Sequence, residues 1–326
     1  MVTKRVFGKT KDGAAVDAYT ITNENGIAVT VLNYGATLQS VVLPCKGGPL
    51  DVVLGYDSVG EYERNDGYLG ASVGRYAGRV PNALLYLNGT VFPLSENEGS
   101  NHLHGGKRGF DKRIWKAETG RNRVAFSLLS EDCEEGYPGT VLCAAVYSLD
   151  GDTLSITYRG KTDLMTAWNP TNHAYWNLNG HGSGDARTHR LQIPADRFVP
   201  VGSDMLPTDG EADVSGTRFD FRYLRTIDGA YDHCFVLSGS TIRLFGNRGI
   251  GMEIATDCKA VQLYTANFLT PRKCKGGADY GLYGAICLET EGRQAFKTAP
   301  IPEESVLRPG AVLSRTTAFR FITEEG

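Results

Sequence analysis

Short apolar runs separated by turn residues recur from one end of the chain to the other, and this pattern most limits what it can fold into. IAVTVLNYG (Ile27 to Gly35), LQSVVLP (Leu38 to Pro44) and DVVLGY (Asp51 to Tyr56) are β-branched and bounded by Gly, Pro, Asn or Asp, the signature of strands. LLYLNGTVFPL (Leu84 to Leu94) sets two apolar runs around Asn88-Gly89, a pair suited to a type I′ hairpin turn. RVAFSLLS, TVLCAAVYSLD, TLSITYRG and, near the far end, TAFRFIT continue the pattern. No amphipathic stretch of helical period runs for about 12 residues or more, and GEYERNDGYLG holds a helical turn at most. Short strands at this density predict a large all-β sandwich, rather than an α/β barrel or a doubly wound sheet. No linker or composition shift divides the chain, so one domain over residues 1–326 is expected.

Composition narrows the function classes. A net charge of -3 over 326 residues gives no reason to expect nucleic acid or an anionic membrane as partner. The apolar runs are too short for a membrane-spanning helix. The basic N-terminus lacks the apolar stretch of a signal peptide. Seven cysteines are dispersed, with no CxxC pair, so reduced thiols in a cytoplasmic protein are expected, with neither a zinc site nor a redox motif. Asn88-Gly89-Thr90 reads as a turn rather than a glycosylation site. GxGxxG, the P-loop, GxSxG and HExxH are all missing, so no nucleotide cofactor and none of the common hydrolase layouts is expected.

What remains is a scatter of polar-aromatic motifs, each offering one chemical group. NHLHGG (Asn101 to Gly106) holds His102 and His104, which in a strand face the same side, as in some metal sites. Gly105-Gly106 follows instead of further ligands, so the expected metal content is none. NPTNHAYWNL sets His173 beside Tyr175 and Trp176; the His is either a satisfied core residue or an acid–base group, and either aromatic ring can stack on a sugar or pack in the core. CLET places Glu289 at the end of a buried run, where lost hydration raises a carboxyl pKa toward neutrality. YDHCF presents Asp232 as a hydroxyl acceptor or a turn residue, and GRYAGRV presents Arg79, with Arg75 its rival, as a fork of donors. No second acid in these motifs is an evident glycosidase partner for Glu289.

Together the pieces resemble the aldose 1-epimerases, also called galactose mutarotases. The resemblance runs from NYGATLQSVVLP through GRYAGRV, NHLHGGKRGFDKRIW, NPTNHAYWNLNGHG, YDHCF and VQLYTANF to CLET and VLRPG, in the family's order. It implies a large β-sandwich with an open sugar cleft, a free-sugar substrate and no cofactor. By resemblance Glu289 is the general base, His173 the general acid and His104 a second active-site imidazole. Arg79, Asp232 and Gln262 become hydroxyl ligands, with Gly78 and Trp176 as further substrate-binding candidates. Opening a hemiacetal moves a proton off O1 and another onto the ring oxygen, so His173 is expected as imidazolium beside an ionised Glu289. The chain departs from the family at Gly78, where many members carry Asn, and in Glu291-Gly292-Arg293-Gln294-Ala295-Phe296. Glu291 is expected to raise the Glu289 pKa further. Two alternatives stand beside this reading: epimerisation of a hexose phosphate held by Lys107, Arg108, Lys112 and Arg113, or sugar binding without catalysis.

Overall fold

Antiparallel pairing organises the chain, as its strand pattern requires. The structure, a computed structural model, describes residues 1–323 apart from 65, 209, 240, 297 and 298. The last three residues of the expected 1–326 domain therefore lie outside the described residues. A five-stranded meander takes up Val2 to Asp51. A nine-stranded sheet is built around the hairpin Val141–Asp150 and Thr153–Thr162, with Val312–Thr323 as the next strand. A six-stranded sheet has the order Tyr175–Trp176, Ile286–Glu291, Ala260–Tyr264, Asp232–Val236, Arg197–Val199, Ala212–Asp213.

The nine-stranded sheet packs its inner face against both of the others. Tyr19 of the meander meets Phe126 edge-on at 5.9 Å, and Trp176 of the six-stranded sheet lies 5.2 Å from Phe319. One apolar cluster runs through all three sheets. The expected hairpin forms between Leu84–Leu87 and Thr90–Pro93. Asn88 and Gly89 at its tip take φ of 49° and 76°, the pair of positive angles that a type I′ turn needs. The expected helical turn is the five-residue helix Val59–Glu63. Its start is fixed by a capping box: the Glu61 carboxylate accepts from the Ser58 backbone N–H at 3.0 Å. Among the described residues no helix is long and apolar enough to cross a membrane.

Candidate active site

The six-stranded sheet sets the site by register. Gln262 pairs with Glu289 across one strand boundary and with Cys234 across the other. Strand side chains alternate, so Asp232, two residues before Cys234, shares a face with Gln262 and Glu289, and Glu291 joins them. The opposite face, with Phe235, Val261, Leu263 and Leu288, belongs to the core. The same alternation separates the two aromatic candidates. Tyr175 pairs with Cys287 on the site face, whereas Trp176 pairs with Ile286 on the core face. Trp176 is 1% exposed and packs on Phe319 and Phe321. It does not reach the site, so the substrate-binding reading of Trp176 is corrected to a core role, and Tyr175 stands in the wall instead.

His173 comes in from the loop after Thr171–Asn172, with its backbone N–H bonded to the Ala71 carbonyl. Its ring is held between Tyr175 (centroids 5.0 Å apart, 13° between planes) and Tyr68 (6.0 Å, 16°). Nε2 lies 3.6 Å from Glu289 Oε1, and the two side chains are only 5% and 3% exposed. His173 Nδ1 and Glu289 Oε2 are buried with no hydrogen-bond partner among the described residues.

His102 and His104 do not face one way. The strand ends at Leu103, and His104 takes φ of 52°, which swings its ring toward the site. His102 turns inward, its ring nitrogens 2.7 Å from the Ser95 carbonyl and 2.7 Å from the Tyr137 hydroxyl. His104 Nδ1 accepts from the Gly78 backbone N–H at 3.3 Å. In a neutral ring the proton is therefore on Nε2, so His104 can donate to a sugar oxygen there. Gly78 thus contributes a backbone donor to a catalytic candidate.

Arg79 grips Glu98 with Nε and Nη2, at 2.8 Å for the shortest contacts, and Nη1 lies 3.6 Å from Asp232. Gln262 Nε2 donates to Asp232 Oδ1 at 2.5 Å. Arg75 is 2% exposed and spends its donors on Ser130 and the carbonyls of Pro138 and Gly139, so it braces a loop.

His104, His173, Arg79, Glu98, Asp232, Gln262 and Glu289 line a cavity of about 260 Å³. The sequence reading had already named Gly78, Arg79, His104, His173, Asp232 and Glu289 of this lining, and Gln262 through the family resemblance. Tyr68, Glu98, Phe268 and Arg272 also line it and were not anticipated. Tyr68 left one trace: it lies between Gly67 and Gly70 and takes φ of 56°. The donor atoms of His104, His173 and Glu289 all lie within 4.8 Å of one another, so among the described residues these three could hold a divalent cation.

Burial governs the protonation states. It pushes Glu289 well above its ordinary value; Glu291 and Asp232 push the same way, while Arg79 opposes them. Burial lowers His173 to about 4. His104 is pushed down by burial first and then by His173 and Arg79. Asp232 is raised by burial against the pull of Arg79, and Glu291 is raised to about 8 by burial. Burial therefore works against both charges of the expected imidazolium–carboxylate pair, lowering His173 and raising Glu289, and the one proton the pair shares can sit on either member.

The comparisons with known proteins bear on the family and the fold. A family model described as aldose 1-epimerase matches residues 17–320. The galactose mutarotase of Bos taurus is 37% identical over 98% of both chains. The aldose 1-epimerase of Escherichia coli K12 is 36% identical over 96% of this chain and 97% of its own. The crystal structure of galactose 1-epimerase from Lactobacillus acidophilus NCFM superimposes with a TM-score of 0.86, at 30% identity over 98% of both chains. The chain belongs to the aldose 1-epimerase family.

Proposed function

We propose that this protein interconverts the α and β anomers of free hexoses, galactose and glucose foremost, within a single domain spanning 1–326. The observation that carries the reading is the buried contact between His173 and Glu289, 3.6 Å apart beside the cavity. A sugar hydroxyl on the unpartnered Glu289 Oε2 stabilises the carboxylate and draws the shared proton onto His173. Glu289 then takes the O1 proton as the bond between C1 and the ring oxygen breaks, and His173 protonates that oxygen. The resulting aldehyde turns about C1–C2. Closure on the other face returns one proton to His173 and the other from Glu289 to O1. His104 Nε2–H, Arg79, Asp232 and Gln262 hold the hydroxyls. Each positioned proton-transfer group contributes roughly 10²- to 10⁴-fold.

The charge around the cavity favours a neutral sugar over a phosphorylated one. Both guanidiniums in the wall are paired, Arg79 with Glu98 and Arg272 with Asp66 at 2.8 Å. Of the four cations expected to hold a phosphate, Lys112 reaches the Lys107 carbonyl and Arg113 pairs with Glu134; none of the four lines the cavity. Seven free thiols suit a reducing cytoplasm, where we place the protein. Polarimetry on freshly dissolved α-D-galactose and α-D-glucose tests the activity. Relaxation no faster than the protein-free blank with either sugar would sink it.

A further inference from the structure

The wall beside Gly78 is built differently from the rest of the site, and this inference rests on the epimerase reading above. Gly78 takes φ of 81°, and a Cβ there would sit 3.3 Å from Gln294 Nε2. Because residue 78 has no side chain, nothing from that residue stands between the Gln294 amide and the cavity it helps to line. Gln294 is 8% exposed and Glu291 1% exposed, so both are desolvated groups with few possible partners. Gln294 Nε2 donates to Gln262 Oε1 at 3.0 Å and lies 3.5 Å from Glu291 Oε1. Gln262 Nε2 is committed to Asp232, so Gln294 fixes which end of the Gln262 amide points where.

Glu289 and Glu291 stand on the same strand face two residues apart, about 7 Å along the strand. That is on the order of the span of a pyranose ring, so a sugar with C1 at Glu289 extends its far side toward Gln294. We propose that Gln294 is a specificity-determining residue of this enzyme, contacting a ring hydroxyl remote from the anomeric carbon through the opening that Gly78 leaves. Glu291 acts through it as a positioning residue. The Gln294 side chain offers an amide N–H and an amide carbonyl, and this suits the wall to a neutral hydroxyl, which both donates and accepts, rather than to an anion.

The test is steady-state polarimetry on galactose, glucose and their 3-deoxy and 4-deoxy analogues, with wild type, Gln294→Ala and Gln294→Asn. The shorter Asn withdraws the amide while keeping the wall polar, so it serves if the Ala variant does not fold. We expect either variant to raise KM for the parent sugars about five- to twentyfold with kcat within about twofold, the loss of one hydrogen bond. One deoxy sugar should already carry that penalty in wild type and show no further loss in the variants, because the two changes remove the same contact. KM within twofold of wild type, or an equal loss with the parent and both deoxy sugars, overturns the assignment while leaving the enzyme an epimerase. Inactive wild type overturns the epimerase reading itself, and this inference with it.

Discussion

His173 Nε2 meets Glu289 Oε1 at 3.6 Å, and both side chains are almost wholly enclosed. Neither charge has water to stabilise it, so each group depends on the other, and on the sugar, for its ionised form. Glu289→Gln and His173→Asn should each cut the rate of anomer interconversion by about 10²- to 10⁴-fold. The double variant should fall little further, because the two act as one unit. Polarimetry checks both points. A double variant that loses the product of the single effects would separate their roles.

The pH dependence follows from where that proton resides. Catalysis needs one proton on the pair, whichever member holds it. Below the His173 value of about 4 both members are protonated and the base is lost. Above the raised Glu289 value both are deprotonated and the acid is lost. The rate should therefore show an acid limb near pH 4, and its alkaline limb should lie above the ordinary carboxyl range. If an imidazolium of ordinary pKa near 6.5 were instead the acid, the rate would already decline between pH 6 and 8, and a profile of that shape would contradict the buried-pair account.

Hexose 6-phosphates should be poor substrates, with kcat/KM at least about tenfold below that of the free hexose. A dianion beside carboxylates and ion-paired guanidiniums meets no unpaired cation among the described residues that line the cavity, so nothing there offsets its desolvation. Lys107→Ala, in an adjoining open hollow, should leave both values within about twofold. A phosphorylated substrate turned over as well as the free sugar would refute the charge argument.

Trp176 marks a limit of reading motifs without register. The sequence showed two aromatic neighbours, and only strand pairing decides which of them faces the cavity. Trp176→Phe should lower unfolding stability by about 1–3 kcal/mol through lost core volume, with KM unchanged. A KM rise without a stability loss would return Trp176 to the site.

The strands and the Asn88-Gly89 hairpin were legible because alternation and turn chemistry act locally, whereas the acid–base candidates were given their roles only through the family resemblance. His102 and His104 were misread because the rule that i and i+2 share a face holds only while a strand continues. This one ends at Leu103, and His104 has a positive φ. Glu98, Arg272 and Tyr68 lie in no motif. They reach the cavity through long-range packing, as when Glu98 meets Arg79 from 19 residues away. Gln294 was visible only as an atypical segment, and its importance depends on the missing side chain at Gly78.

Buried titratable groups also predict the shape of the stability curve. All six histidines (His102, His104, His173, His181, His189 and His233) are lowered from 6.5, burial being the first cause in each. A lowered histidine favours the fold fully above its unfolded value and loses that contribution as pH falls toward its folded value. For His173 and His189 that window runs from 6.5 down to about 4, and each is worth on the order of 3 kcal/mol. The buried carboxyls have the opposite sign: Asp232 and Glu289, which are raised, and likewise Asp111 and Glu291. Burial raises the last two from 3.8 to about 7 and from 4.5 to about 8, so their contribution is complete at low pH and is lost as pH rises through 7 to 8. Below pH 6.5 the histidine slope opposes the carboxyl slope and outnumbers it; above 6.5 only the carboxyl slope remains. Stability should therefore peak near pH 6.5, and urea midpoints at pH 4.5, 6.5 and 9 measure it. Glu291→Gln removes one carboxyl slope, so its stability relative to wild type should climb by a few kcal/mol between pH 4.5 and 8. A difference that stays constant over that range would mean that Glu291 is ionised in the folded protein at neutral pH.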